Sequence, residues 1–262
     1  MNNPLISIIT VVYNDKVGIK RTIKSVLNQT YKNIEYVIVD GNSNDGTLDI
    51  IKKYQDSIDF WMSENDEGIY DAMNKGIQSA KGDFIQFLNA GDIFYEDDSL
   101  LKLVSTIDEK EKVYFGRAHT YNKDVAWVFP SVENTSSWLS RGNLPNHQAM
   151  LFPKNFYENN FYNLSYKISS DKDYKIRAYK KVKFSFCDIV FVKFELDGVS
   201  NQYRKIKNVT KIMKENFLIN KSHKLYKNMI LDSVKLFIKM ILAFLVPNKT
   251  NSFIKAIKGY KS

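Results

Sequence analysis

Short runs of almost unbroken apolar, β-branched residues, spaced by helix-length segments, constrain the fold of this chain more than any other feature. Ile6–Tyr13 (ISIITVVY), Glu35–Asp40 (EYVIVD) and Phe84–Leu88 (FIQFL) are such runs, and Ile58–Met62 is a weaker fourth. A strand apolar on both sides must be covered on both faces, which is the condition of a parallel sheet flanked by helices. The intervening segments carry helical spacing. Ile19, Ile23, Val26 and Leu27 form one stripe, Thr47 opens a helix through Tyr54, and Ile69, Ala72, Met73, Gly76, Ile77 and Ala80 form another. This βαβα rhythm predicts an α/β domain with a mostly parallel central sheet and helices on both faces.

Beyond residue 112 the pattern loosens. Strand-like runs recur at Val113–Phe115 and Val182–Phe194, and the stretch between them carries Pro130, Gly142 and Pro145. Long irregular stretches inside a compact domain usually carry function. The 262 residues suit one large domain with an appendage, divided here as 1–200 and 201–262.

Charge separates the two parts. The net +9 resides in the tail, where 14 Lys/Arg face 2 Asp/Glu from Ser200 onward, so the body is slightly acidic. A basic average therefore does not point to nucleic acid, and the tail segregates apolar from basic residues instead of interleaving stacking aromatics. In Met229–Val246, Asp232, Lys235 and Lys239 share one helical face, while Leu231, Val234, Ile238, Ile241 and Leu245 share the other. Three charges argue against a spanning helix. The pattern fits an interfacial amphipathic helix ended by Pro247, with Phe253–Tyr260 repeating the theme, or equally a helical bundle packed on the domain. Cys187 is the lone cysteine, and Met1–Pro4 leads straight into the first strand without a basic leader. Both features lean toward a cytoplasmic setting, peripheral at the inner membrane face if the tail binds anionic lipid.

Ligands of open α/β sheets bind at the carboxyl ends of the strands. Asn14–Asp15, Asp40 and Asn89–Asp92 all stand at such ends. A dinucleotide fold would need a glycine-rich turn after the first strand, but Tyr13-Asn14-Asp15-Lys16 supplies none. A diphosphate would then be held through a hard cation, with Asp92 as carboxylate and Asn89 as neutral oxygen. The same Asn89-Ala90-Gly91-Asp92 run also reads as a simple turn with an Asx cap.

Five motifs in order resemble family 2 glycosyltransferases of the GT-A fold. They are Ser7–Asn14, Ser25–Tyr31, Glu35–Thr47, Asp66–Gly76 and Ala80–Asp92. The resemblance implies an inverting sugar transfer from a nucleotide-sugar donor, with UDP expected, to a glycan or lipid-linked saccharide acceptor of bacterial-type surface polysaccharide synthesis. It implies that Thr10, Tyr13 and Asn14 line the nucleotide pocket and that Asp40 accepts from uracil. Asp45 shapes the loop after the second strand. Asp66, Asp71, Asn74 and Lys75 face the donor, Lys75 near phosphate, and Asp92 holds Mn²⁺ or Mg²⁺. The chain departs from the usual Asp-x-Asp, with Asn89 and Gly91 where those acids would stand, so Asp92 is its single carboxylate. Ile168–Tyr174 looks like the family's catalytic-acid motif, which implies Asp171 as the base, with Asp173 second; Ser170 or Asp171 also reads as a helix cap for Lys172–Tyr179. The chain resembles a subgroup that carries Leu-Asn-x-Gly-Asp, here Leu88–Asp92, in place of Asp-x-Asp; Asn146-His147-Gln148 matches a His-Gln of that subgroup, which implies His147 at donor, metal or acceptor. Arg177 lies one turn beyond Asp173, within reach of phosphate, and Trp138 is the tryptophan best placed for the acceptor; His119 and His223 receive no role. The alternative on the same fold is a non-catalytic nucleotide-sugar binder, for which the incomplete Asp-x-Asp is the support.

Overall fold

The computed structural model of the chain describes residues 3–122, 126–130, 145–195 and 206–245. Trp138, Pro247 and Phe253–Tyr260 lie outside the described residues. In chain order the first half runs β1 (Ile6–Val12), α1 (Lys16–Leu27), β2 (Ile34–Asp40), α2 (Thr47–Lys53), β3 (Phe60–Ser63), α3 (Ile69–Ser79) and β4 (Phe84–Phe87). Next come β5 (Ile93–Phe94), α4 (Ser99–Val104), β6 (Val113–Tyr121), β7 (Ala126–Phe129), β8 (Met150–Pro153) and α5 (Lys154–Tyr157). The chain continues through α6 (Ser170–Lys181), β9 (Phe184–Glu195), α7 (Ile206–Ser222) and α8 (Tyr226–Leu245).

The sheet order is β3-β2-β1-β4-β8-β6-β9-β5, with β7 paired on β6. The long ladders are parallel: β1 pairs β2 from Ile6↔Ile34 to Val12↔Asp40, and β1 also pairs β4. β6 runs parallel to β9. Short antiparallel pairings through β8 and β5 join the halves and close the edge.

β1 is buried along its whole length because both faces are packed. Ile6 and Ile8 join one core with Ile19, Ile23 and Val26 of α1, and Ile9 and Val11 join a second core with Met73 and Ile77 of α3. The period-two alternation of a strand thus feeds two helix layers. α3 approaches closely at Gly76, where an added Cβ would lie 2.4 Å from Ile9 Cγ2. The expected α/β fold, with helices on both faces and a helical C-terminal region, is the fold observed.

The second half adds what periodicity does not announce. β8 has four residues, all buried, and lies between β4 and β6. β6 extends to Tyr121, well past the apolar run that signals it.

The C-terminal helices pair with each other. The turn between them places Lys224 at a positive φ of 60°, and the Leu225 N–H returns to the Asn220 carbonyl at 2.7 Å. That is the helix-ending geometry of a left-handed residue, here without glycine. Val209, Ile212 and Leu236 form a small core, joined by Ile168 of the main body. The two expected faces of α8 are not cleanly divided: Lys235 is exposed along with apolar residues, and Leu236 is buried in the small core. Asp232 turns inward to Lys172 at 2.5 Å, whereas Leu231, Val234, Ile238, Ile241 and Leu245 are exposed. Among the described residues the hairpin packs on the domain and leaves these apolar residues exposed. Among the described residues no helix is long and apolar enough to cross a membrane.

Candidate active site

The carboxyl ends of β1 and β4 open onto a cavity of about 770 Å³. Tyr13 and Asp15 line it from the end of β1, Asn89 from the end of β4, Asp66 and Tyr70 from the start of α3, His147 and Gln148 from before β8, and Asp171, Lys172 and Lys175 from α6. Ile212 and Asn216 of α7 complete the wall.

The β1 rim is built by local capping. Asp15 caps α1, its carboxylate accepting from the Gly18 N–H at 2.8 Å. Asn14 takes a positive φ of 49° and its side chain accepts from the Asn44 N–H at 2.9 Å, tying the β1 end to the loop after β2. Asp45 accepts from the Thr47 N–H at 3.0 Å and the Lys16 N–H at 3.1 Å, so its loop-shaping role is visible in its bonds. Thr10 is buried, donating to the Leu88 carbonyl at 2.8 Å. Asp40 is fully buried, and its oxygens accept from the Ser43 hydroxyl at 2.5 Å, the Ser43 N–H at 3.0 Å and the Ser63 hydroxyl at 2.6 Å.

The turn after β4 rests on α1. The Thr22 hydroxyl donates to the Asp92 carbonyl at 2.8 Å and lies 3.0 Å from the Gly91 N–H, and Arg21 donates to the Gly91 carbonyl at 2.7 Å. Gly91 needs the left-handed φ of 94° that makes this turn. Asp92 is 6% exposed; burial pushes its carboxyl up to about 8, against the opposing pull of Gln148 and Arg21. Gln148, which lines the cavity, donates to Asp92 at 3.3 Å.

Two observations bear on whether a cation fits here. Asn89 Oδ1 is buried beside Asp92 with no hydrogen-bond partner, a neutral oxygen free for a ligand. A divalent cation would also favour the ionised form that burial opposes at Asp92. Among the described residues there is no cluster of three His, Cys, Asp or Glu side chains, so a cation would complete its shell with water and substrate oxygens. The residues fit such an ion held weakly.

Opposite this rim stands Asp171. Its carboxylate lies 2.9 Å from Lys175 Nζ and 3.7 Å from His147 Nδ1, and the Tyr70 hydroxyl is 3.3 Å away. Burial would raise its pKa, but the Lys175 ammonium and His147 prevail and hold it well below the usual carboxylate range. His147 is itself kept neutral-leaning by burial, and its Nε2 has no partner. Asp173 does not line the cavity. Arg177 reaches it at 2.8 Å and His223 at 2.8 Å, so the two residues next considered for chemistry form an ion pair with each other, and His223 has a partner after all. Neither Ser170 nor Asp171 caps the helix as expected: α6 already includes both, and Ser169 holds the N-cap position without a side-chain cap bond.

Of the residues expected in the site, Tyr13, Asp66, Asn89, His147 and Asp171 line one cavity. Asp71, Asn74 and Lys75 are engaged elsewhere. Lys75 pairs with Glu64 at 2.7 Å and Asp71 at 3.3 Å, and Asn74 exchanges two bonds with the Tyr162 backbone at 3.0 and 2.7 Å. Sequence reasoning missed Lys175, although a cation four residues past an acid on a helix is a legible pair. It also missed Tyr70, whose partner lies about a hundred residues away and leaves no local trace.

The fold is that of the GT-A glycosyltransferases. The glycosyl transferase family 2 profile matches residues 7–182, and the chain belongs to that family. It is 31% identical over 205 residues to an uncharacterised glycosyltransferase of Mycobacterium tuberculosis, covering 76% of this chain and 78% of that one. It is 29% identical over 208 residues to a PGL/p-HBAD biosynthesis glycosyltransferase of the same organism, covering 77% and 81%. Among solved structures, residues 1–349 of Staphylococcus aureus TarS in complex with UDP-GlcNAc superpose with a TM-score of 0.64 at 16% identity, covering 93% of this chain and 74% of that one. The Pyrobaculum calidifontis mannosyltransferase PcManGT, solved with GDP-Man and Mn²⁺, gives 0.61 at 13% identity, covering 99% and 76%. At these identities the structures speak to the fold.

Proposed function

We propose that the protein is an inverting hexosyltransferase that moves a sugar from a nucleotide-sugar, a UDP-sugar first, to a glycan or lipid-linked saccharide acceptor of surface polysaccharide synthesis. The observation that carries this reading is Asp171: an ionised carboxylate on the cavity wall facing the strand ends where a donor would bind. As the acceptor hydroxyl oxygen attacks the anomeric carbon, Asp171 takes its proton, the anomeric bond to the diphosphate breaks, and the nucleoside diphosphate leaves. Tyr70 and Lys175 hold the carboxylate in place. Tyr13 and Asp66 offer the donor its first contacts. Asp40 lies beneath Ser43, so receiving the uracil N–H requires the 41–44 turn to open. Asn89 Oδ1 and Asp92 would hold Mn²⁺ or Mg²⁺, which when bound supplies positive charge at the departing diphosphate.

Support comes from two sides. Structural neighbours were solved with UDP-GlcNAc and with GDP-Man and Mn²⁺, and one relative is named for glycosyl transfer in PGL/p-HBAD biosynthesis. The division into a donor-and-acceptor body over 1–200 and a tail over 201–262 belongs to the same reading. So does a peripheral place at the cytoplasmic membrane face, which the uncovered apolar face of α8 and the basic tail favour.

The test is nucleoside diphosphate release across a panel of UDP-hexoses and UDP-N-acetylhexosamines, in wild type and Asp171→Asn. A loss of turnover on the order of 10²- to 10⁴-fold with UDP affinity retained is expected. Unchanged turnover in the variant would remove Asp171 as base. UDP binding without turnover of any donor would favour the non-catalytic reading.

A further inference from the structure

Three consecutive backbone N–H groups converge on one carboxylate. Those of Lys167, Ile168 and Ser169 donate to Glu215 at 2.9, 3.0 and 2.8 Å. Glu215 belongs to α7, is 5% exposed, and lies beyond residue 182, where the family match ends. The 167–169 segment is neither helix nor strand, so its N–H groups have no ladder to join. A carboxylate accepting several backbone N–H groups makes short, charge-assisted bonds that fix the backbone. The opposite edge of the segment is held too: the Ile168 carbonyl accepts from the Tyr70 hydroxyl of α3 at 2.7 Å.

The clamped segment runs directly into Asp171. Immediately after that residue the first turn of α6 is tied to the same helical hairpin, Lys172 to Asp232 at 2.5 Å and Asp173 to His223 at 2.8 Å. Asp171, between the clamped segment and these two ties, lines the cavity. The α7 residues on either flank of Glu215, Ile212 and Asn216, line that same cavity.

We infer that Glu215 is a positioning residue for sugar transfer, fixing through three N–H groups the backbone that aims the Asp171 carboxylate, so that the C-terminal hairpin completes the active site. This rests on the reading of Asp171 as base. Glu215 touches no reacting atom; it acts through Asp171.

The test uses the full chain with Glu215→Gln, whose carboxamide turns an N–H₂ toward the donors, and Glu215→Asp, which keeps the charge but is shorter by one methylene. With the donor selected by the panel, Glu215→Gln should lower kcat on the order of tenfold to a hundredfold, because small misplacements of a reacting group are costly. Affinity for UDP with Mn²⁺, read by calorimetry, should stay within about twofold, since the strand ends that receive the nucleotide are untouched. Glu215→Asp should fall between Glu215→Gln and wild type. Independently of turnover, amide exchange at 167–169 should be slow in wild type and at least about tenfold faster in Glu215→Gln. Loss of turnover in Asp171→Asn with normal turnover in Glu215→Gln would overturn the inference and spare the base assignment. Unaffected turnover in Asp171→Asn would remove the base assignment itself. Equal loss of UDP affinity and kcat in Glu215→Gln, or unchanged amide exchange, would reduce Glu215 to a general structural role.

Discussion

Asp171 is set by its immediate neighbours. An isolated carboxyl in a half-buried wall would lean toward protonation, but Lys175 at 2.9 Å and His147 together outweigh burial and keep it charged. The sign follows directly. A base acts deprotonated, and a folded pKa below the ordinary value of about 4 keeps it so throughout the neutral range. The acid limb of kcat/KM due to Asp171 should therefore lie below pH of about 4, and Lys175→Met should move it upward, as a pH–rate profile would show. The same depression contributes stability that is fully present above the unfolded carboxyl's pKa and is lost as pH falls from there through the lower folded pKa. Asp92 shows the opposite balance: burial dominates, and its carboxyl is pushed up to about 8. If a divalent cation sits between Asn89 Oδ1 and Asp92, chelation with EDTA should weaken UDP binding, and Asp92→Asn should make that binding insensitive to added Mn²⁺. A cation-independent UDP affinity in the wild type would dismiss the metal and leave the nucleotide pocket standing.

At the scale of elements, the first half is legible because each piece declares itself. A strand buried on both faces is apolar throughout, as in β1, and a surface helix has one apolar stripe, as in α3. The contact between these two is close enough to test. At Gly76 the missing Cβ leaves room for Ile9, so Gly76→Ala should cost about 1–3 kcal/mol by urea unfolding, despite alanine's better helix propensity. β8 was not legible, since four buried residues carry too little periodicity to separate strand from helix, and its pairing with β4 and β6 is wholly non-local. The motif at the start of α6 could be seen in the residues. Its anchoring by Glu215 and Tyr70 could not.

Across the whole molecule, polarity is arranged unusually at the C-terminal hairpin. α8 turns Asp232 toward the body and presents Ile230, Phe237 and Leu245, which are 72%, 52% and 74% exposed. Contiguous exposed apolar faces mark interaction surfaces, and the lysines of the tail supply attraction to anionic headgroups. The full chain should co-sediment with vesicles containing phosphatidylglycerol. The double change Phe237→Glu with Ile241→Glu should abolish this while leaving UDP affinity within about twofold, because both residues are exposed and neither lines the cavity. Equal partition of wild type and variant would place the apolar face against something other than lipid.

What the sequence determined by itself was the layered α/β body and the strand ends on which chemistry could be hung, because short-range periodicity encodes burial on one face or two. It determined the composition of the tail as well, but not its orientation. Amphipathicity says that a helix has two faces; only the packing of Lys172 against Asp232 decided which face looks inward. In the same way the residues named Asp171 as a candidate, while Tyr70 and His147, which touch it, and Glu215, which holds the segment before it, lie far apart in the chain. Such convergence is a property of the closed tertiary structure, since no local pattern records which distant carboxylate will take three backbone N–H groups.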